Sequence, residues 1–487
     1  MKISSYRLLM VAILNCLLSS NLFAQSPSYQ SNHQPGRMSA SFTRFNAVDK
    51  VAITANAGDV LFIHWKIAVA KGAISIVVKN KKKVIYKSPG IEKNDTADFY
   101  LPINNAGEVS IQMQGKKADG NILLLYEKAA PKNILVKTNS NIELFGLLMQ
   151  LDNAADAIAA KDSVEINGRK STWKDWYALA VKNYNRYKGF DSSNMMQLYR
   201  QYMSRGLYND YFIGLLLQAD EVPNAGLNSR VDDDVILAFS KTGSREDAQK
   251  EAAVFFKAFS QFYQDVHFAD YLKEYEPYLT TMKMQVQKNL PPAAFVPVME
   301  HFYHRQFNGY CFVPGFDILN TMGFGKMNKK AGIIYNAFGP FDFMSFDSNN
   351  PNPGFDFPEK IQNLAVHEFG HSFVNPAIDK LPAALIQATA HLYEPIKEQM
   401  SQHAYTEWKM CLYEHFVRAG EVLINRYLGQ KEKADQMLNN FVKDGFIYIP
   451  FIVQELEQYE KIPFAKRDYD AFVVGVMERL KDAKELK

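Results

Sequence analysis

The chain has 487 residues, 47% of them hydrophobic and 22% charged, with a formal net charge of +3. That length is too great for one ordinary core, so two or three domains are expected, with the composition of a globular protein. So small a net charge argues against nucleic acid or a strongly acidic partner.

The N-terminus reads as a targeting segment. Lys2 and Arg7 are followed by an apolar run from Leu8 to Leu18, and Leu22-Phe23-Ala24 before Gln25 is a plausible cleavage site. Ile13-Leu14-Asn15-Cys16 is a poor lipoprotein box because Asn15 is not small. Residues 1–24 are thus expected to be a signal peptide. The mature protein is expected to be exported, periplasmic or extracellular, with no transmembrane segment. Of the three cysteines, Cys311 and Cys411 remain after cleavage. In an oxidising compartment they could pair, and two buried free thiols fit the sequence equally well.

Residues 25–40 are rich in Ser, Asn, Gln and Pro and read as a disordered leader. Residues 41–130 then read as a β-sandwich. Short β-branched and aromatic runs recur at Val51–Thr54, Val60–Trp65, Ala73–Val78, Val84–Tyr86, Ala97–Leu101, Glu108–Met113 and Asn121–Tyr126. Lys79-Asn80-Lys81-Lys82-Lys83 reads as the solvated tip of a hairpin. Such a module can bind a glycan or a protein, and no residue in it names the ligand.

Ala129-Ala130-Pro131-Lys132 reads as a boundary, and from Asn141 the pattern is helical. Helices are expected over Trp173–Tyr187, Ser193–Arg205 and Asp247–Phe262. Asp232-Asp233-Asp234 reads as the start of a helix rather than a metal site. Residues 296–343 have strand-like content, above all the apolar run Ala331–Gly339. A loop at Asp347–Gly354 follows.

Next comes His367-Glu368-Phe369-Gly370-His371. On a helix, positions i and i+4 lie one turn apart on one face, so both imidazoles can aim at one cation. Neutral imidazoles suit zinc, and Glu368 beside the first can take a proton from a water on the metal. Ile361, Leu364, Ala365 and Phe369 supply a buried stripe, and Asn375-Pro376 marks the expected helix end.

Catalytic zinc takes a third protein ligand. Val374 and Ala377 stand where a metzincin needs Gly and His, which excludes that class. The carboxylate candidates are Glu394, Glu398, Glu407, Glu414 and Glu421. Glu414 is preferred on the strong helix Glu407–Leu428, with Arg418 one turn on to order it, and Glu421 stands as the alternative. His391, His403 and His415 remain open as ligands.

On these residues the chain resembles the gluzincin metallopeptidases. The matching pieces are His-Glu-Phe-Gly-His, a downstream helical Glu, and Asn336-Ala337-Phe338, which looks like their substrate-binding edge strand. It also resembles a family of exported bacterial proteins described only as a domain of unknown function. That resemblance lies in Glu143-Leu144-Phe145-Gly146-Leu147-Leu148, in His-Glu-Phe-Gly-His-Ser-Phe and in Glu414 to Ala419. Tyr413 stands where thermolysin-type enzymes often have Asn. The transition-state residue is not placed among His391, His403 and Tyr405.

The expected architecture is α+β: an N-terminal β-sandwich, then a mostly helical zincin-like metallopeptidase domain, residues 135–487, with a small mixed sheet. The expected function is hydrolysis of peptide or protein substrates, with Zn2+ as cofactor, His367, His371 and Glu414 as ligands and Glu368 as general base. The alternatives are an inactive surface binding protein on the same fold, and a zinc amidase acting on cell-wall material.

Overall fold

The computed structural model describes residues 28–347 and 349–482. The expected signal peptide lies outside them. The chain divides between Ala130 and Pro131 into two compact units, where the composition shift placed the boundary.

The first unit is one seven-stranded antiparallel sheet. Its strands are β1 (Ser28–Gln34), β2 (Arg37–Phe45), β3 (Val48–Ala55), β4 (Val60–Asn80), β5 (Lys83–Lys87), β6 (Asp95–Pro102) and β7 (Gly107–Ala129). The pairs of short runs expected at 60–78 and at 108–126 are in fact two long strands, β4 and β7, paired with each other almost end to end. Register shifts between Val69 and Ala73 let them bend without parting. Glycine is required there: a Cβ on Gly120 would stand 2.0 Å from the Ala68 oxygen. The bend changes which alternate residues face inward. Leu61, Ile63, Trp65 and Ile67 precede it, Ile74, Ile76 and Val78 follow it, and all join one core.

The disordered leader is corrected over residues 28–40. β1 and β2 form a hairpin closed by Pro35-Gly36, with Gln34 opposite Arg37. Every β1 residue is exposed, so no apolar alternation announces the strand, which is held by backbone pairing.

The second unit is mostly helical around a four-stranded mixed sheet of order β12-β13-β11-β8. Here β8 is Ile134–Val136, β11 Gly309–Pro314, β12 Gly323–Asn328 and β13 Ile333–Phe338. A separate hairpin, β9 (Ser163–Ile166) and β10 (Arg169–Thr172), was not foreseen. β11 runs parallel to β8 and β13, while β12 runs antiparallel to β13 and, among the described residues, has a strand on one side only.

Three helices matter most: the opening helix Ser140–Ala159, the metal helix Pro358–Asp379 and the ligand helix Trp408–Tyr427. The expected helices at 193–205 and 247–262 are present as Asn194–Ser204 and Arg245–Asp265, and Asp232 precedes the short helix Asp233–Leu237. Two expectations fail. Residues 296–303, expected as strand, belong to the fully buried helix Phe295–Tyr303, a nine-residue segment whose β-branched and aromatic content resembles that of a strand. The metal helix also runs through Pro376 to Asp379. One lost N–H bond is tolerated where packing holds the next turn: Ala377 and Ile378 are buried.

The metal helix buries Ile361, Ala365, Phe369, Phe373 and Val374. Phe369 stacks on Phe312 of β11 with ring centroids 5.3 Å apart, and Phe373 on Tyr303 at 4.7 Å. These contacts fix the helix against the sheet and leave the other face, with both histidines, toward the ligand helix. Among the described residues no helix is long and apolar enough to cross a membrane.

Candidate metal centre

His367, His371 and Glu414 come together, with one donor atom from each within 4.8 Å of the others. The two Nε2 atoms are 3.2 Å apart. Glu414 places Oε1 3.4 Å from His371 Nε2 and Oε2 3.7 Å from His367 Nε2. Donors about 2.0–2.1 Å from a tetrahedral zinc stand roughly 3.3 Å from each other, which the two Nε2 atoms and the Glu414 Oε1–His371 Nε2 pair approach. Both imidazoles remain partly open, with side-chain exposures of 18% and 16%, so the centre can be reached from solvent.

Each imidazole is oriented from behind. His367 Nδ1 lies 2.6 Å from Glu421 Oε1, and His371 Nδ1 lies 3.1 Å from Asn375 Oδ1. With Nδ1–H donating outward, the Nε2 lone pairs face each other across the centre. Two Nε2 atoms at that distance need a proton or a metal ion between them, and the donor set fits a metal. Glu421 is thus placed behind His367, not among the ligand atoms. Asn375 was missed: at i+4 from His371 the spacing was readable, but Asn gives no metal-ligand signal.

The electrostatics are strongly coupled. Burial lowers the His367 pKa, but Glu421 and then Glu414 outweigh it and hold it up at about 9. Burial would raise the Glu414 carboxyl, yet His371, His367 and Arg418 keep it below its ordinary value. Arg418 Nη2 lies 3.1 Å from Glu414 Oε2, and its guanidinium sits 4.5 Å over the Phe446 ring. Arg418 therefore holds Glu414, as the sequence suggested. Tyr405 joins the same group, hydrogen-bonded to Glu414 and 3.5 Å from Arg418, and burial raises its hydroxyl pKa first of all.

Glu368 is 8% exposed and lies under β12. A Cβ on Gly323 would stand 2.8 Å from its Oε1, and one on Gly325 2.4 Å from its backbone oxygen and 2.9 Å from Oε2. The two glycines give the carboxylate its room. The alternation Gly323-Phe324-Gly325 stands within the stretch read as strand-like, and nothing in it points to Glu368.

The expected edge residues sit elsewhere. Asn336, Ala337 and Phe338 are in β13, buried and paired on both sides by β11 and β12. An apolar run of this kind marks an interior strand. Asn336 instead reaches the metal helix, its Nδ2 donating to the Leu364 carbonyl at 3.4 Å.

The other candidates stay outside the centre. Glu394, Glu398 and Glu407 are exposed. His391 bonds the Ala388 carbonyl, and His403 lies against Tyr405 and Phe446. His415 is buried against the Cys411 carbonyl, and burial pushes its pKa down to about 4. Cys311 and Cys411 are free and buried, which raises their thiol pKa values to about 11 and about 12.

The family model described as "Domain of unknown function (DUF4932)" matches residues 134–469. The chain belongs to this family. The DUF4932 segment opens at β8 and takes in both helices of the metal centre, leaving the N-terminal sheet outside it. No curated protein matches the chain. Among solved structures, one titled "CBM4 structure and function" is similar at 9% identity, covering 23% of this chain and 82% of its own, with a TM-score of 0.17. The carbohydrate binding module CBM6cm-2 from Cellvibrio mixtus lichenase 5A, in complex with cellotriose, is similar at 11% identity, with coverages of 22% and 88% and a TM-score of 0.16. A family two carbohydrate esterase from Cellvibrio japonicus is similar at 10% identity, with coverages of 70% and 95% and a TM-score of 0.13. All three scores are too low to establish a shared fold.

Proposed function

We propose that the DUF4932 unit is a zinc-dependent peptidase of gluzincin type on a zincin-like fold, carried by an exported protein. The observation that carries this reading is the convergence of His367, His371 and Glu414, with the Glu368 carboxylate lying beneath β12. Bound there, zinc would polarise a carbonyl and bring the pKa of a water toward neutrality. Glu421 and Asn375 fix the tautomer and ring angle of the two imidazoles. Glu368 accepts the proton of the attacking water at its carboxylate and delivers it to the leaving amine. Tyr405, beside Glu414 and Arg418, is the group we assign to the developing oxyanion. The side of β12 away from β13 is the edge we assign to an extended peptide, which replaces the role first given to Asn336, Ala337 and Phe338.

The N-terminal unit is read as a β-sandwich whose two half-sheets close on one core, serving to bind a glycan or a protein. The test concerns the metal centre. Purified protein should hold one zinc per chain, and His367→Ala should lose it. Glu368→Gln should keep the zinc and lose hydrolysis of a broad peptide library; full activity in that variant would refute the base. Zinc with no hydrolysis in the unaltered protein would favour the inactive binding protein.

A further inference from the structure

The opening helix carries a polar line that the metal centre does not use. Glu143, Gly146 and Gln150 fall at i, i+3 and i+7, on one face, and all three are buried. They meet one residue, Asp317, in the loop between β11 and β12. Glu143 Oε2 accepts the Asp317 backbone N–H at 3.0 Å, and Gln150 Nε2 donates to the Asp317 carbonyl at 2.8 Å. Gly146 lies so close that a Cβ would stand 2.5 Å from the Asp317 carbonyl carbon. Two other helices hold the side chain: the Tyr271 hydroxyl and Asn183 Nδ2 both donate to Asp317 Oδ1. Its N–H, its C=O and one carboxyl oxygen are thus gripped, at 0% exposure. That is a fixed point, not a surface loop.

The chain from this point to the centre is short and tightly held. A Cβ on Gly339 would stand 2.3 Å from the Leu319 oxygen. The Thr321 N–H donates to the Pro340 carbonyl at 2.8 Å, and the Gly339 N–H to the Met322 carbonyl at 2.9 Å. Gly323 follows, lying directly over Glu368.

We propose that Glu143, Gly146 and Gln150 act through Asp317 as a positioning device that sets the height of β12 over Glu368. The proposal rests on the reading of Glu368 as the base. It explains why a helix far from the metal motif keeps an acid and a glycine in an otherwise apolar segment.

The carboxyl pair adds a pH dependence. Burial raises the Glu143 pKa to about 7. Burial, and then the nearby Glu143 charge, raises that of Asp317 well above its ordinary value, against hydrogen bonds from Tyr271 and Asn183. The Tyr187 and Tyr275 hydroxyls face the pair as well, with Arg186, Glu274 and Asp270 beyond them. The folded protein therefore keeps a proton that the unfolded chain gives up near pH ~4.3. The sign follows: the grip is complete in acid and loosens as pH rises through about 7.

Hydrogen exchange on the full chain tests this. Gly146→Ala raises helix propensity yet drives a methyl into Asp317, so it moves the loop without weakening its helix. Protection should fall about tenfold in residues 315–328 and stay unchanged in the metal and ligand helices, with zinc content intact. Glu143→Leu should do the same. Glu143→Gln keeps an acceptor for the Asp317 N–H, so it should hold protection near that of the unaltered chain and make its decline between pH 5 and 8 shallower, Asp317 remaining as the one acid of the pair. Hydrolysis should show a lower kcat in Gly146→Ala at unchanged zinc content. Unaltered protection at 315–328 in Gly146→Ala, or an equal loss across the whole second unit, would overturn the proposal. So would a wild-type pH slope in Glu143→Gln. If the unaltered protein hydrolyses nothing, the peptidase reading fails while the exchange result still decides whether β12 is held in this way.

Discussion

Two helical turns separate Glu414 from Glu421 on the ligand helix, so both carboxylates share a face. They nevertheless do different work. Glu414 faces both Nε2 atoms, while Glu421 takes the proton side of His367 at 2.6 Å. Glu414→Ala is therefore expected to abolish stoichiometric zinc. Glu421→Gln should keep the zinc but weaken its affinity by about 10–100-fold, as outer partners of metal-bound imidazoles do. Competition with a chelator of known affinity separates the two, and equal losses would contradict the assignment. The sequence named Glu414 and kept Glu421 as the alternative because periodicity gives direction around a helix, not distance from a partner on another helix. The His pair was legible for the opposite reason, since both residues lie on one element and their spacing is the geometry. Asn375 lies one turn from His371 on the same helix, a spacing that is readable but carries no metal-ligand signal, whereas Tyr405 meets Glu414 and Arg418 through a contact between elements that no local spacing encodes.

At the level of elements, the sequence marked the sheet but exchanged two of its strands. β13 is the β-branched, apolar run and drew the substrate-binding assignment, yet that composition belongs to a strand covered on both sides. β12 carries two glycines and does not stand out within the strand-like stretch 296–343, and it lies over Glu368 because that carboxylate needs the room a side chain would fill. Gly325→Ala puts a methyl 2.4 Å from a helix backbone oxygen that cannot step aside. A loss of about 1–3 kcal/mol in urea unfolding is expected, with zinc retained and turnover impaired. Gly323→Ala meets a carboxylate oxygen at 2.8 Å, the end of a side chain that can rotate, so it should cost less stability while still disturbing Glu368. On the far side of the metal helix, Phe369 stacks on Phe312 with no exposure at all. Phe369→Ala should cost about 3–5 kcal/mol by the same measurement, and zinc affinity should fall with it as the helix loses its seat.

Across the whole molecule, the two units have separate apolar cores. One draws its buried residues from Met38 to Tyr126, the other from Ile134 to Leu480, and no residue belongs to both. Composition revealed that division because a period-two pattern gives way to a helical one around Pro131. It could not show that β4 and β7 each run through both halves of the first sheet, since a bend at glycine looks like a turn in sequence. Separate cores imply separate unfolding, and the residues of the candidate metal centre all lie in the second unit. A ligand that binds one folded unit stabilises that unit alone, by about 2.7 kcal/mol at a hundred times its dissociation constant. Calorimetry of the full chain should therefore show two transitions, only one of which rises on adding zinc. A chain of residues 131–487 should keep that transition, its zinc response and its stoichiometry, and a chain of residues 28–130 should show the other transition with no zinc response. If residues 131–487 fold but no longer take up zinc, the centre depends on the N-terminal unit and the division into independent cores does not extend to function.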